Sequence, residues 1–283
     1  MAPLPTESRI FADRYMRDLR QREASFSNRI SRNTTNWADA MYSFYQRVGH
    51  AGSPLKRARM IRDLTNDLNE GVLDGAHFLL DCGGANRSAG LMFAAMSAGE
   101  NPFLGVDEEG VNITQYNIIS QRNGDLYVLP DLDIAYVSKH AIGRLHERGH
   151  DLTNMKATCV LACVGILGLL TRDSAKHVDG GLCLQYDDTM IVGSLKHATK
   201  CVNGKHDINA TLFDVRTALL ASDIVDPVMR KQGALATHAV AKWLDDRTVS
   251  SSFNLKLAES IPFIPRREDF TTLHGVEDQR SKQ

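Results

Sequence analysis

The run CVLACVGILGLL at positions 159 to 170 contains no charged or strongly polar side chain. Water cannot solvate such a stretch, and it falls short of the roughly 18 apolar residues that a membrane span requires. It is therefore expected to be a helix sealed inside the protein, capped at its start by Thr153. No other run in the chain is longer or more apolar, and the N-terminus, MAPLPTESRIFADRYMRDLR, lacks the uninterrupted apolar core of a signal peptide.

The remainder reads as a chain that changes texture once. Residues 7 to 32 set Ile10, Tyr15, Leu19, Phe26 and Ile30 at helical spacing among seven Arg, which predicts a basic amphipathic helix with a break near Ser25. WADAMYSFYQRV (37 to 48) predicts a second helix with Asn36 as N-cap and Gly49 as its stop. A third begins at Ser53-Pro54 and ends at Gly71, and a fourth is expected over 86 to 98 after the glycine pair of DCGGANRSAG. From about 103 the pattern becomes β-like. VNITQYNIIS and DLYVLP flank the turn QRNG, IAYVS reads as a further strand, and LCLQY, TMIVGSL and NATLFDV follow the apolar helix. Residues 216 to 246 read as helical again, interrupted at Pro227. The expected fold class is α+β: a helical N-terminal region (1–102), an α+β domain with a small antiparallel sheet packed on helices (103–249), and an irregular C-terminal arm (250–283).

Thirty-three Lys plus Arg against 34 Asp plus Glu give a net charge of −1, so no global field draws the protein to nucleic acid or anionic lipid. Any such attraction must be local. The five cysteines, an odd number without a secretion signal, are expected to be reduced thiols of a cytoplasmic protein, acting in its own cell or in a target cell. Cys159 and Cys163 lie in the apolar run and no CxxC pair occurs, so neither a metal nor another cofactor is expected. Charge is nonetheless segregated. Residues 1 to 70 carry 12 Lys plus Arg against 8 acids, whereas 100 to 135 carry seven acids against Arg122 alone.

The densest basic stretch is SKHAIGRLHERGHD (138 to 151), with three His, two Arg and one Lys. Ser138 and Gly149 bracket a helix of about three turns. His140, Arg144 and Arg148 stand four residues apart, and each such step turns a helix by about 40°, so they form one stripe. Like charges at that spacing repel, but one imidazole and two guanidinium groups suit an anion with several oxygens. Phosphate is the obvious candidate. An imidazole exchanges a proton near neutral pH, and a guanidinium stabilises the charge that builds on a phosphorane. Lys139 adds a cation at the helix start. Gly143 costs about 1 kcal/mol of helix propensity relative to Ala; it leaves room for a close approach of backbone or ligand, and the sequence does not decide whether one occurs.

The order HAIGRLHERG (140 to 149), a second helix, LCLQYDDTMIVGSL (182 to 195) and NATLFDV (209 to 215) resembles the small ribonuclease toxin fold of the RelE-like, colicin D-like and barnase-like families, over about 80 of 283 residues. Phage and toxin–antitoxin proteins that open with an HAxxR helix share the look. The resemblance implies RNA cleavage without a metal. It implies His140, Arg144, Arg148 and Thr211 as catalytic residues, and Lys139 and Arg216 as binding residues. RNA or another phosphate-bearing ligand is the expected partner. The alternative from the same residues is a non-catalytic nucleic-acid- or protein-binding protein, with self-association through the N-terminal helices.

Overall fold

The computed structural model describes residues 3–71, 76–101, 108–150, 155–171, 181–202 and 206–245, and Thr211 by its backbone alone. Three helices come first: α1 (Thr6–Ile30), α2 (Trp37–Gly49) and α3 (Pro54–Gly71). Four strands follow, β1 (His77–Gly83), β2 (Ala89–Glu100), β3 (Glu109–Ser120) and β4 (Leu126–Ser138). Then come α4 (Lys139–Glu147), α5 (Met155–Thr171), β5 (Gly181–Tyr186), β6 (Thr189–Val202), β7 (His206–Leu220) and α6 (Pro227–Asp245). The class is α+β, as the sequence predicts.

The sheet corrects the expectation of a small antiparallel one. It has seven strands in the order β1-β2-β3-β4-β7-β6-β5, and it is mixed. Two antiparallel ribbons meet where β4 and β7 run parallel, joined over Ala135–Val137 and Phe213–Val215. A parallel neighbour needs a crossover, and α4 and α5 supply it.

The helix expected over 86 to 98 is strand β2, and the first 102 residues are therefore not all helical. Every residue of β2 pairs with β3, from Ala89↔Ser120 to Glu100↔Glu109, so the sheet also crosses the boundary expected at 102. A central strand covered on both faces carries a continuous apolar run with no alternation, and GLMFAAM mimics a helix for that reason. Likewise β7 continues to Leu220, beyond the expected start of a helix at 216, and Pro227 opens α6 instead of interrupting it. IAYVS is the second half of the single long strand β4, and α1 runs through Ser25 unbroken. DCGGANRSAG is a turn between β1 and β2, with Gly84 and Asn86 at positive φ. The 250–283 arm and Thr153 lie outside the described residues.

One core runs from Ala12 to Trp243. On one face of the sheet α1 and α2 bring Phe26 and Trp37 onto His77 and Phe93, with ring centroids 4.7 Å apart for Phe26–His77 and 5.8 Å for Trp37–Phe93. The His77 ring Nε2 lies 2.7 Å from the Leu68 carbonyl oxygen. Phe78, one residue on, points to the other face, which α5 covers. There the α5 glycines let backbone touch backbone: a Cβ on Gly168 would lie 2.0 Å from the Ile134 carbonyl oxygen. The apolar run is thus helix that is buried for the most part from Val160 to Leu170, with Cys159 exposed at its start. Among the described residues no helix is long and apolar enough to cross a membrane.

At the α1–α2 joint, Glu23 is 7% exposed and its Oε1 accepts a hydrogen bond of 3.2 Å from the Trp37 N–H. Burial raises its pKa from 4.5 to about 7, against the smaller opposing pull of that hydrogen bond and of Arg20. The folded protein therefore keeps this proton to higher pH than the unfolded chain does. The stability linked to it is complete below pH 4.5 and is lost as pH rises through about 7. Glu23→Gln keeps the acceptor and removes the charge. It is expected to raise Tm at pH 8, by about 2–4 °C for each kcal/mol recovered, and to leave Tm at pH 4.5 nearly unchanged in thermal melts.

Candidate functional site

Helix α4 is bounded as its sequence predicts. The Ser138 Oγ accepts a 3.2 Å hydrogen bond from the Ala141 N–H and donates one of 3.3 Å to the Arg216 carbonyl. At the other end, Gly149 has φ +84°, the His150 N–H reaches the Leu145 carbonyl at 3.1 Å, and the Gly149 N–H reaches the His146 carbonyl at 2.9 Å. This is a Schellman ending, which uses glycine to close a helix. Ala141, Ile142 and Leu145 are buried and fix the orientation of the remaining positions.

Gly143 marks a close approach, and what approaches is the protein's own N-terminus. A Cβ there would sit 2.6 Å from Leu4 Cδ1 and 3.2 Å from the Ser8 carbonyl oxygen. Around that point the first turns of α1 engage α4 repeatedly. The Phe11 ring stacks on His146 with centroids 3.8 Å apart and planes 4° apart. The Arg144 Nη2 donates to the Pro3 carbonyl at 3.5 Å. The Lys139 ammonium pairs with Asp13, with Glu109 at 3.8 Å, and Glu109 also takes Arg20 at 2.7 Å.

The stripe of His140, Arg144 and Arg148 is half-buried. His140 Nε2 and Arg148 Nε have no accessible surface and no hydrogen-bond partner among the described residues. Burial lowers the His140 pKa below the ordinary histidine value, and the Arg144 charge lowers it further, with Glu108 opposing. Arg144 holds Glu147 at 2.6 Å.

From β7, Arg216 grips the buried Asp214 through Nε at 2.8 Å and Nη2 at 2.6 Å, and its Nη1 pairs with Glu108. Lys196 on β6 reaches the same Asp214 oxygen at 2.5 Å. The Tyr136 hydroxyl donates to the Glu108 carbonyl at 2.7 Å. Glu108 thus ties Arg216 to the neighbourhood of His140. Thr211 pairs with His197 in the β6–β7 ladder, and its side chain lies outside the described residues. The structure therefore brings Arg216 to the start of the helix that carries Lys139, His140 and Arg144.

Sequence reasoning missed Glu108, Asp214 and Lys196. Asp214 had a signal: an acid inside the apolar run TLFDV, with Arg216 two residues on, must share a strand face with that arginine. Among the described residues no group of three or more His, Cys, Asp or Glu is placed to hold a metal ion. No family model, curated protein or solved structure matches the chain.

The two ends of this network should differ in weight. Arg216→Ala leaves the Asp214 carboxylate, 0% exposed, with Lys196 as its remaining charged partner, and is expected to cost about 3 kcal/mol. Lys139→Ala breaks pairs between half-exposed groups and should cost under about 1 kcal/mol. Urea melts check both, and equal losses would contradict this division.

Proposed function

We propose that this protein is a metal-independent endoribonuclease, toxin-like in kind, whose phosphate site is built on α4 and the adjoining part of β7. The reading is carried by one observation: a half-buried imidazole, its pKa lowered by burial and by a neighbouring guanidinium, has a buried ring nitrogen without a hydrogen-bond partner among the described residues. Such a group is suited to accept a proton. The 2′-hydroxyl of RNA gives its proton to His140, its oxygen bonds to the adjacent phosphorus, and the bond to the 5′-oxygen breaks. The departing oxygen takes up a proton from water. Arg144 and Arg148 stabilise the charge on the phosphorane, and Lys139 and Arg216 hold neighbouring phosphates. Thr211 belongs to this scheme through the resemblance alone. Action in the cytoplasm, of the producing cell or of a target cell, is part of the same reading.

A second reading is favoured by the ion pairs. Lys139, Arg144 and Arg216 already engage the protein's own carboxylates, an arrangement that suits exchange of one anionic surface for another without turnover. In that case the basic helix holds RNA or an acidic protein surface.

Incubation with labelled RNA in EDTA separates the two. The ribonuclease reading expects cleavage that leaves 2′,3′-cyclic phosphate ends, and a fall of about 10²- to 10⁴-fold in kcat/KM for His140→Ala and Arg144→Ala at unchanged Tm. Products with 5′-phosphate ends overturn it, and binding without cleavage by the wild type selects the second reading.

A further inference from the structure

We infer that the first turns of the chain, Pro3 to Phe11, are a strap that closes the α4 stripe and lifts to admit a phosphate-bearing ligand. The inference rests on the reading of that stripe as a phosphate site, and concerns how the site is regulated.

The two parts of α1 are held differently. From Ala12 onward, Ala12, Tyr15, Met16, Leu19 and Phe26 are at most 3% exposed and belong to the main core. Before Ala12, only Ser8 is buried, and Ile10 is 60% exposed. What fastens this leading segment is α4 itself. Leu4 lies on Gly143, the Pro3 carbonyl receives Arg144, and Phe11 stacks on His146. Lifting it breaks these contacts to α4 together with the packing of Phe11 on Tyr15, and leaves the buried residues from Ala12 onward in place. Helix ends with few core contacts open first in a folded protein.

The position of the strap is what gives it a role. Gly143 and Arg144 are the i+3 and i+4 neighbours of His140, so they flank it on the helix surface, and the Arg144 charge acts on its imidazole. The strap holds Arg144 by the Pro3 carbonyl while Glu147 holds it from the helix. With both in place, His140 Nε2 has no accessible surface. A bulkier residue than glycine at 143 would keep the strap from seating, because its Cβ would overlap Leu4. Gly143, unfavourable within a helix, is explained by that seat.

Carbethoxylation of imidazole nitrogens by diethyl pyrocarbonate, located by mass spectrometry, reads exposure of His140 without reference to activity. The full chain is compared with Leu4→Asp/Phe11→Ala. The exposed His50 serves as reference, and the fully buried His77 reports unfolding. The strap predicts about tenfold faster modification of His140 in the variant, with His50 and His77 unchanged. An unchanged rate at His140 overturns it. If His77 becomes reactive, Leu4→Ala takes the place of the double variant and the same two outcomes decide. RNA cleavage is measured on the same samples. A variant with reactive His140 that neither cleaves nor binds RNA overturns the phosphate-site reading and leaves the strap standing. Cleavage with His140 still protected overturns the strap alone.

Discussion

A short basic helix has to fit between a long helix and a sheet, and most of the surrounding structure follows from how that is done. Helix α4 presents its apolar side to the core and its charged side to α1, β3 and β7. Like charges at i, i+4 destabilise a helix left alone; Glu147 of the same helix offsets Arg144, and further carboxylates come from elsewhere in the chain. Asp13, Glu108, Glu109 and Asp214 come from three different elements, α1, the start of β3 and β7. Arg20, Lys139, Lys196 and Arg216 complete a balanced set of four anions and four cations around the helix start. The acidic block that precedes the helix in sequence is thereby explained in part: its Glu109 meets Lys139 of the basic stretch, and its Glu108 meets Arg216 of β7.

The mixed sheet sets where this happens. Two antiparallel ribbons touch over only three rungs, at Ala135–Val137 and Phe213–Val215. Asp214 faces Tyr136 in that contact, which places its carboxylate near the point where β4 ends and α4 begins. The glycine face of α5 presses onto the same region of β4, through Ile134 and Ala135. Apolar packing therefore fixes the junction, and the ion network is built upon it. Interiors this dense tolerate little displacement, so the charged groups inherit a defined geometry.

Much of this was legible in the sequence, and the failures have physical causes. Local chemistry read correctly: Asn36 and Ser138 as caps, Pro54 as a helix start, Gly149 as a stop, and QRNG as a hairpin turn. Tertiary context did not. Strand β2 reads as helix because both of its faces are buried, and β7 was cut short because RTALL has helical propensity that pairing with β6 overrides. At the candidate site the short basic helix and the unfavourable Gly143 within it were visible in the sequence. That Leu4, and not a ligand, fills the space at Gly143 could not be read, since the two lie 139 residues apart in the chain. The carboxylate partners were hidden for the same reason.

The functional account joins these points. On the proposed reading the α4 stripe takes a phosphodiester, Glu147 offsets Arg144 and the first turns of α1 cover the stripe, so that ligand access and helix packing are alternatives. Its central claim is a half-buried imidazole in a basic stretch, its pKa lowered by burial and by Arg144. NMR titration of the full chain, following the His140 ring signals from pH 4 to 9, tests this most directly. The account predicts an apparent pKa clearly below the ordinary value of about 6.5. A value at or above it would mean that His140 is solvated or carboxylate-bound, and would contradict both the site and its cover.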